Sequence, residues 1–76
     1  MDIRDFHSAI RVIQDGGVKA FYEAERLVGR KAALSILTFH LRKEYERKEG
    51  WNSPDIPAMV NGYLSEHLPE VYADFT

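Results

Sequence analysis

Ile3, Phe6, Ile10 and Ile13 recur at three- and four-residue intervals, the spacing that lines one face of an α-helix. Asp2 stands where a helix needs an N-cap acceptor, and Asp15-Gly16-Gly17 supplies a stop, because glycine accepts the left-handed backbone that closes helices. A second helix is predicted over 18–28, with Phe21, Ala24, Leu27 and Val28 inward and a tight turn or slight kink at Gly29. The third and longest helix is predicted over 30–48. Leu34, Leu37, Leu41 and Tyr45 line one side of it, while Ala33, Ile36 and Phe39 extend the apolar surface around it. A helix apolar over so much of its circumference sits centrally in a bundle. One narrow polar stripe remains, Lys31, Ser35, Thr38 and Arg42, and the last turns, 42–49, read as solvated and end at Gly50.

Trp51-Asn52-Ser53 reads as a loop, with Ser53 as N-cap and Pro54 at the first position of a fourth helix. Ile56, Met59, Val60, Tyr63 and Leu64 give that helix a buried face, and Pro57 falls within its first turn, where a missing N–H is tolerated. Pro69 opens a last helical turn or two, with Val71, Tyr72 and Phe75 available to pack. There is no strand-forming alternation, internal repeat or low-complexity tract. The expectation is one all-α domain over residues 1–76: a small four-helix orthogonal bundle with a C-terminal helical turn, containing a helix-turn-helix-like pair.

Composition narrows the class. With 76 residues, 45% of them apolar and 29% charged, the chain suits an ordinary soluble globule whose core is small. The absence of cysteine removes disulfides and thiolate metal sites, so packing alone must hold the fold. No apolar run is long enough to span a membrane, and Asp2, Arg4 and Asp5 make the first residues too polar for a signal peptide. A cytoplasmic location follows as the default, and the brevity suits phage, plasmid or accessory-gene products.

Charge adds a second axis. The net charge of −2 hides a sorted distribution. From Arg26 to Lys48 seven bases (Arg26, Arg30, Lys31, Arg42, Lys43, Arg47, Lys48) face two acids (Glu44, Glu46), leaving +5. From Glu49 onward there are five acids (Glu49, Asp55, Glu66, Glu70, Asp74) and no Lys or Arg, leaving −5. Asymmetry of this kind bears on partners rather than on fold.

Catalytic chemistry finds no foothold. His7, His40 and His67 are too far apart to form a metal pair, and His40 reads as a core-edge residue beside Phe39. The serines lie outside any strained elbow, and Gly16-Gly17 lacks the lysine and hydroxyl residue of a phosphate loop. Glu23/Glu25 and Glu44/Glu46 are two apart, hence on different sides of a helix. A non-enzymatic protein without metal or cofactor is expected.

Two helices joined by a short glycine turn over 18–43 describe a helix-turn-helix, whose second helix enters the DNA major groove. Here that helix carries the basic block. Arg30, Lys31, Arg42 and Lys43 are candidate phosphate contacts, and Ser35 and Thr38 suit base edges or phosphates. Ala24-Glu25-Arg26-Leu27, five residues, then Ala33-Leu34-Ser35 resembles the helix-turn-helix of LysR-type transcription regulators, and Met1-Asp2-Ile3-Arg4 with Asp15-Gly16-Gly17 is similar to how those proteins begin. The resemblance implies that Ser35 and its helix neighbours face double-stranded DNA. It is confined to residues 1–43, and beyond Leu41 nothing resembles the winged hairpin or linker helix of that family.

Two other readings stay open. The stripe on the third helix is also what a plain solvent face looks like, and a pI of about 5.9 is low for a dedicated DNA-binding domain. Alternatively the chain is a protein-binding adaptor or inhibitor. Glu66, Glu70 and Asp74, with Tyr72 and Phe75, would then dock a basic protein partner or the basic helix of a second copy in a homodimer.

Overall fold

The computed structural model describes residues 2–49 and 54–74, and all of them are helical except Asp2, Gly29, Pro54, Asp55 and Leu68. The elements are α1 (Ile3–Gly16), a 3-10 turn (Gly17–Ala20), α2 (Phe21–Val28), α3 (Arg30–Glu49), α4 (Ile56–His67) and α5 (Pro69–Asp74). No strand occurs among the described residues, and the all-α expectation is borne out. The chain groups into two compact units, Met1–His40 and Leu41–Thr76, so the continuous helix α3 contributes to both.

Asp2 caps α1 as its side chain allows. It is extended, its carboxylate accepts the Arg4 N–H at 3.1 Å, and its carbonyl accepts from Asp5 and Phe6. At the other end Gly17 turns to φ 62°, and its N–H donates to the Ile13 carbonyl. The chain does not re-enter an α-helix at Val18; it makes the 3-10 turn first, and α2 starts at Phe21. α1 packs on that turn and on α2, with Ala9, Ile13, Phe21 and Ala24 fully buried.

Ile3 and Phe6 depart from the expected inner face, at 69% and 37% exposure. Length supplies the reason. At 14 residues α1 is about 21 Å long, whereas the eight residues of α2 reach about 12 Å. Burial is therefore confined to the half of α1 nearest the chain reversal, where Ala9 and Ile13 lie. Within the same unit α3 buries Ala33, Ile36 and Leu37. Phe39 does not join them and is 62% exposed. It stands two residues from both Leu37 and Leu41, about 200° around the helix from each, so a helix that buries those leucines must turn Phe39 outward.

In the second unit the fourth helix begins two residues later than expected. Pro54 and Asp55 form a turn, and α4 opens at Ile56, with the Asp55 carbonyl accepting from Met59 at 2.9 Å. The expectations for Gly50, Trp51, Asn52, Ser53 and Phe75 lie outside the described residues. Pro57 occupies the first turn, and Ile56, Val60 and Leu64 are buried while Met59 and Tyr63 are half-buried. Leu68 interrupts the helix, its N–H donating to Leu64 and its carbonyl accepting from Tyr72, both at 2.8 Å. Pro69 then starts α5 with the fixed φ that suits a first helical position. α5 packs on α4, with Leu68 and Val71 buried.

Two glycines should respond oppositely to alanine. Gly29, at φ 91°, lies where a Cβ is strained, so Gly29→Ala should cost about 1–3 kcal/mol. Gly62 lies exposed within α4 with open space around its missing Cβ, so Gly62→Ala should add about 0.5–1 kcal/mol. Urea denaturation of the two variants checks both signs.

Candidate nucleic-acid interface

Gly29 alone connects α2 to α3. Its N–H donates to the Glu25 carbonyl at 2.8 Å, closing α2, and its carbonyl accepts from Ala33 at 3.0 Å, opening α3. At φ 91° and ψ 163° it combines an α2 C-terminus and an α3 N-terminus in one residue, a backbone that only glycine adopts readily. Across this turn the Arg30 guanidinium donates to the Glu25 carboxylate, both side chains being partly buried. Arg30 is thus part of the turn's own structure as well as the first residue of α3.

The other candidates lie along α3. At about 100° per residue, Lys31, Ser35, Thr38 and Arg42 fall within about 60° of arc. Lys31, Ser35 and Arg42 are exposed and Thr38 is half-buried, so the stripe does face solvent. Lys43 is exposed on the adjoining edge. Between that edge and the stripe lies Phe39, four residues from Ser35 and Lys43 and three from Arg42.

The basic block is partly answered within its own helix. Glu46 takes Arg42 at 3.7 Å and Lys43 at 3.6 Å, and Glu44 takes Arg47 at 3.1 Å. The two glutamates serve different sides of α3, as their spacing requires. Lys31 has no ion pair among the described residues. The pairs with Glu46 and Glu44 are i,i+3 and i,i+4 contacts of exposed bases, each worth about 0.2–1 kcal/mol, which a phosphate can displace.

No protein-family model, curated protein or solved structure matches this chain.

The site has therefore to be read from its own geometry. Of the acidic candidates, Glu66 and Glu70 are exposed on α4 and α5, Asp74 is exposed at the end of α5, and Tyr72 is half-buried. His7 and His67 are exposed, His67 lying 4.2 Å (ring centre to ring centre) from Tyr63 one turn earlier, and His40 is half-buried. No group of three potential metal ligands forms among the described residues. What the arrangement offers chemically is a solvent-facing helix surface with bases toward both ends, hydroxyls along it and one aromatic ring. Sequence reasoning assigned Phe39 to the apolar surface. Its position two residues from two buried leucines was the signal that it belongs with the polar stripe.

Removing the clamp across the turn isolates its contribution. Glu25→Gln should destabilise the protein by up to about 1 kcal/mol, and the difference from wild type should shrink in high salt. Thermal melts at low and high ionic strength read both.

Proposed function

We propose that this chain is a small non-enzymatic regulator that binds double-stranded DNA through the solvent face of α3. The observation that carries the reading is the coincidence of Lys31, Ser35 and Arg42 on one exposed stripe, starting directly after a glycine turn that joins two helices. A helix fits the major groove of B-DNA, and bases placed along it meet phosphates while short hydroxyls reach base edges or phosphates. Lys31 and Arg42 lie 11 residues apart, about 16 Å along the axis, so they would anchor the helix at two separated points. Glu46 is the built-in competitor. Its carboxylate holds Arg42 and Lys43, and phosphate must replace it.

Lys31→Ala with Arg42→Ala should remove most affinity for mixed duplex DNA and lower the slope of log affinity against log salt by about 2. Glu46→Gln should raise affinity, because it removes the carboxylate that holds Arg42 and deletes a negative charge. Fluorescence anisotropy across a salt series reads both, and no binding by the wild-type chain at low salt would overturn the proposal.

A second reading draws on a different observation. Glu66 and Glu70 are exposed and take part in no ion pair among the described residues, whereas Glu44 and Glu46 on α3 are both paired. Uncompensated acids beside the half-buried Tyr72 would serve an adaptor that takes a basic protein segment. Reversal of Glu66 and Glu70 to lysine should then abolish capture of an arginine-rich peptide, and unchanged capture would count against it.

A further inference from the structure

On the DNA reading above, we infer that α2 carries a second contact with the duplex: Lys19, Tyr22 and Arg26 bind the sugar–phosphate backbone beside the groove that α3 enters. The three residues are exposed and stand three and four apart, so they form one stripe running from the 3-10 turn along α2. Lys19 and Arg26 have no ion pair among the described residues. Tyr22 is 47% exposed and meets Phe21 edge to face, with ring centres 5.4 Å apart. Its hydroxyl makes no hydrogen bond among the described residues, so a donor stands ready between two cations. The other neighbours of Tyr22 one turn away, Val18 and Glu25, are half-buried, and the Glu25 carboxylate is engaged by Arg30.

The connection to α3 decides what this stripe can meet. A helix with its side chains is about 10–12 Å across and the major groove of B-DNA is about 12 Å wide, so α3 fills the groove it enters. Only Gly29 separates α2 from α3. With Lys31 at the DNA, α2 therefore has no room beside α3 in the groove and leaves across the adjoining backbone. Arg26 is five residues from Lys31, at most about 18 Å even in an extended chain. The chemistry of the stripe agrees, because lysine, arginine and the tyrosine hydroxyl all donate, and phosphate oxygens accept from each. Contacts of this kind fix register and orientation on the duplex without reading its sequence. Glu23 opposes them: it is exposed, lies one turn from both Lys19 and Arg26, and pairs with neither.

The experiment separates backbone contacts from base contacts and from folding. Wild type and three variants are titrated by fluorescence anisotropy across a salt series, on two duplexes of different sequence. Lys19→Ala with Arg26→Ala should weaken binding by the same factor on both duplexes and lower the slope of log affinity against log salt by about 2. Lys19→Arg with Arg26→Lys, which keeps both charges, should retain the slope. Tyr22→Phe, which keeps the ring against Phe21, should lose about two- to tenfold in affinity at an unchanged slope. An unchanged slope in the alanine pair, a loss confined to one duplex, or wild-type affinity in Tyr22→Phe overturns the inference, while salt-dependent binding by wild type leaves the DNA reading standing. Failure of wild type to bind either duplex at low salt overturns both. All three residues are exposed, so melting curves of the variants should match wild type, and a lowered slope then reports lost charge rather than lost folding.

Discussion

The backbone at Gly29 is the constraint on which the candidate surface depends. One residue at φ 91° closes α2 and opens α3, so it has no neighbouring loop residues to share the change of direction. With a longer connection, strain would spread over several residues and α3 would have more than one way to leave the turn. Here the hydrogen bonds on either side of Gly29 and the Glu25–Arg30 pair fix a single path. Because a helix is rigid over its length, the exit from that turn determines which way Lys31, Ser35 and Phe39 face.

Electrostatics then works on a surface already positioned by packing. The +5 segment is not a bare positive field. Arg30 is engaged by Glu25, Arg42 and Lys43 share Glu46, and Arg47 is engaged by Glu44. These contacts are local and mostly exposed, which makes them cheap to exchange for another anion. A helix built in this way answers part of its charge along its own length and still retains net positive charge. Glu66 on α4 and Glu70 on α5 show the opposite arrangement, solvent-facing and without an ion pair among the described residues.

Much of the fold was legible in particular residues. Asp2 could be read as a cap because its carboxylate has the reach to satisfy an orphan N–H, Gly17 as part of a stop, and Gly29 as a tight turn or slight kink, because glycine accepts a positive φ. Leu37, Leu41, Val60 and Leu64 are buried where the helical period puts them. The misplaced core residues of α1 have a simple cause. Periodicity describes a helix face as if it were infinitely long and uniformly covered. Ile3 and Phe6 belong to the correct face of α1 but lie beyond the reach of the eight-residue α2. The 3-10 turn before α2 was missed because its residues, Val18 and Lys19 among them, carry no signal separating it from the first turn of an α-helix.

The sequence by itself determined that this protein is helical, where most of its helices stop, and that its bases and acids lie in different stretches. Those properties are local: they follow from backbone preferences, caps and the order of residue types. Tertiary structure decided which apolar residues are left in water and that Arg30 is engaged by Glu25 across the turn. Both depend on where one helix ends relative to another and on which side chains meet across a turn. Phe39 illustrates the division. Its apolar character was plain in the sequence, but only the burial of Leu37 and Leu41 turned it toward the basic, hydroxyl-bearing side of α3.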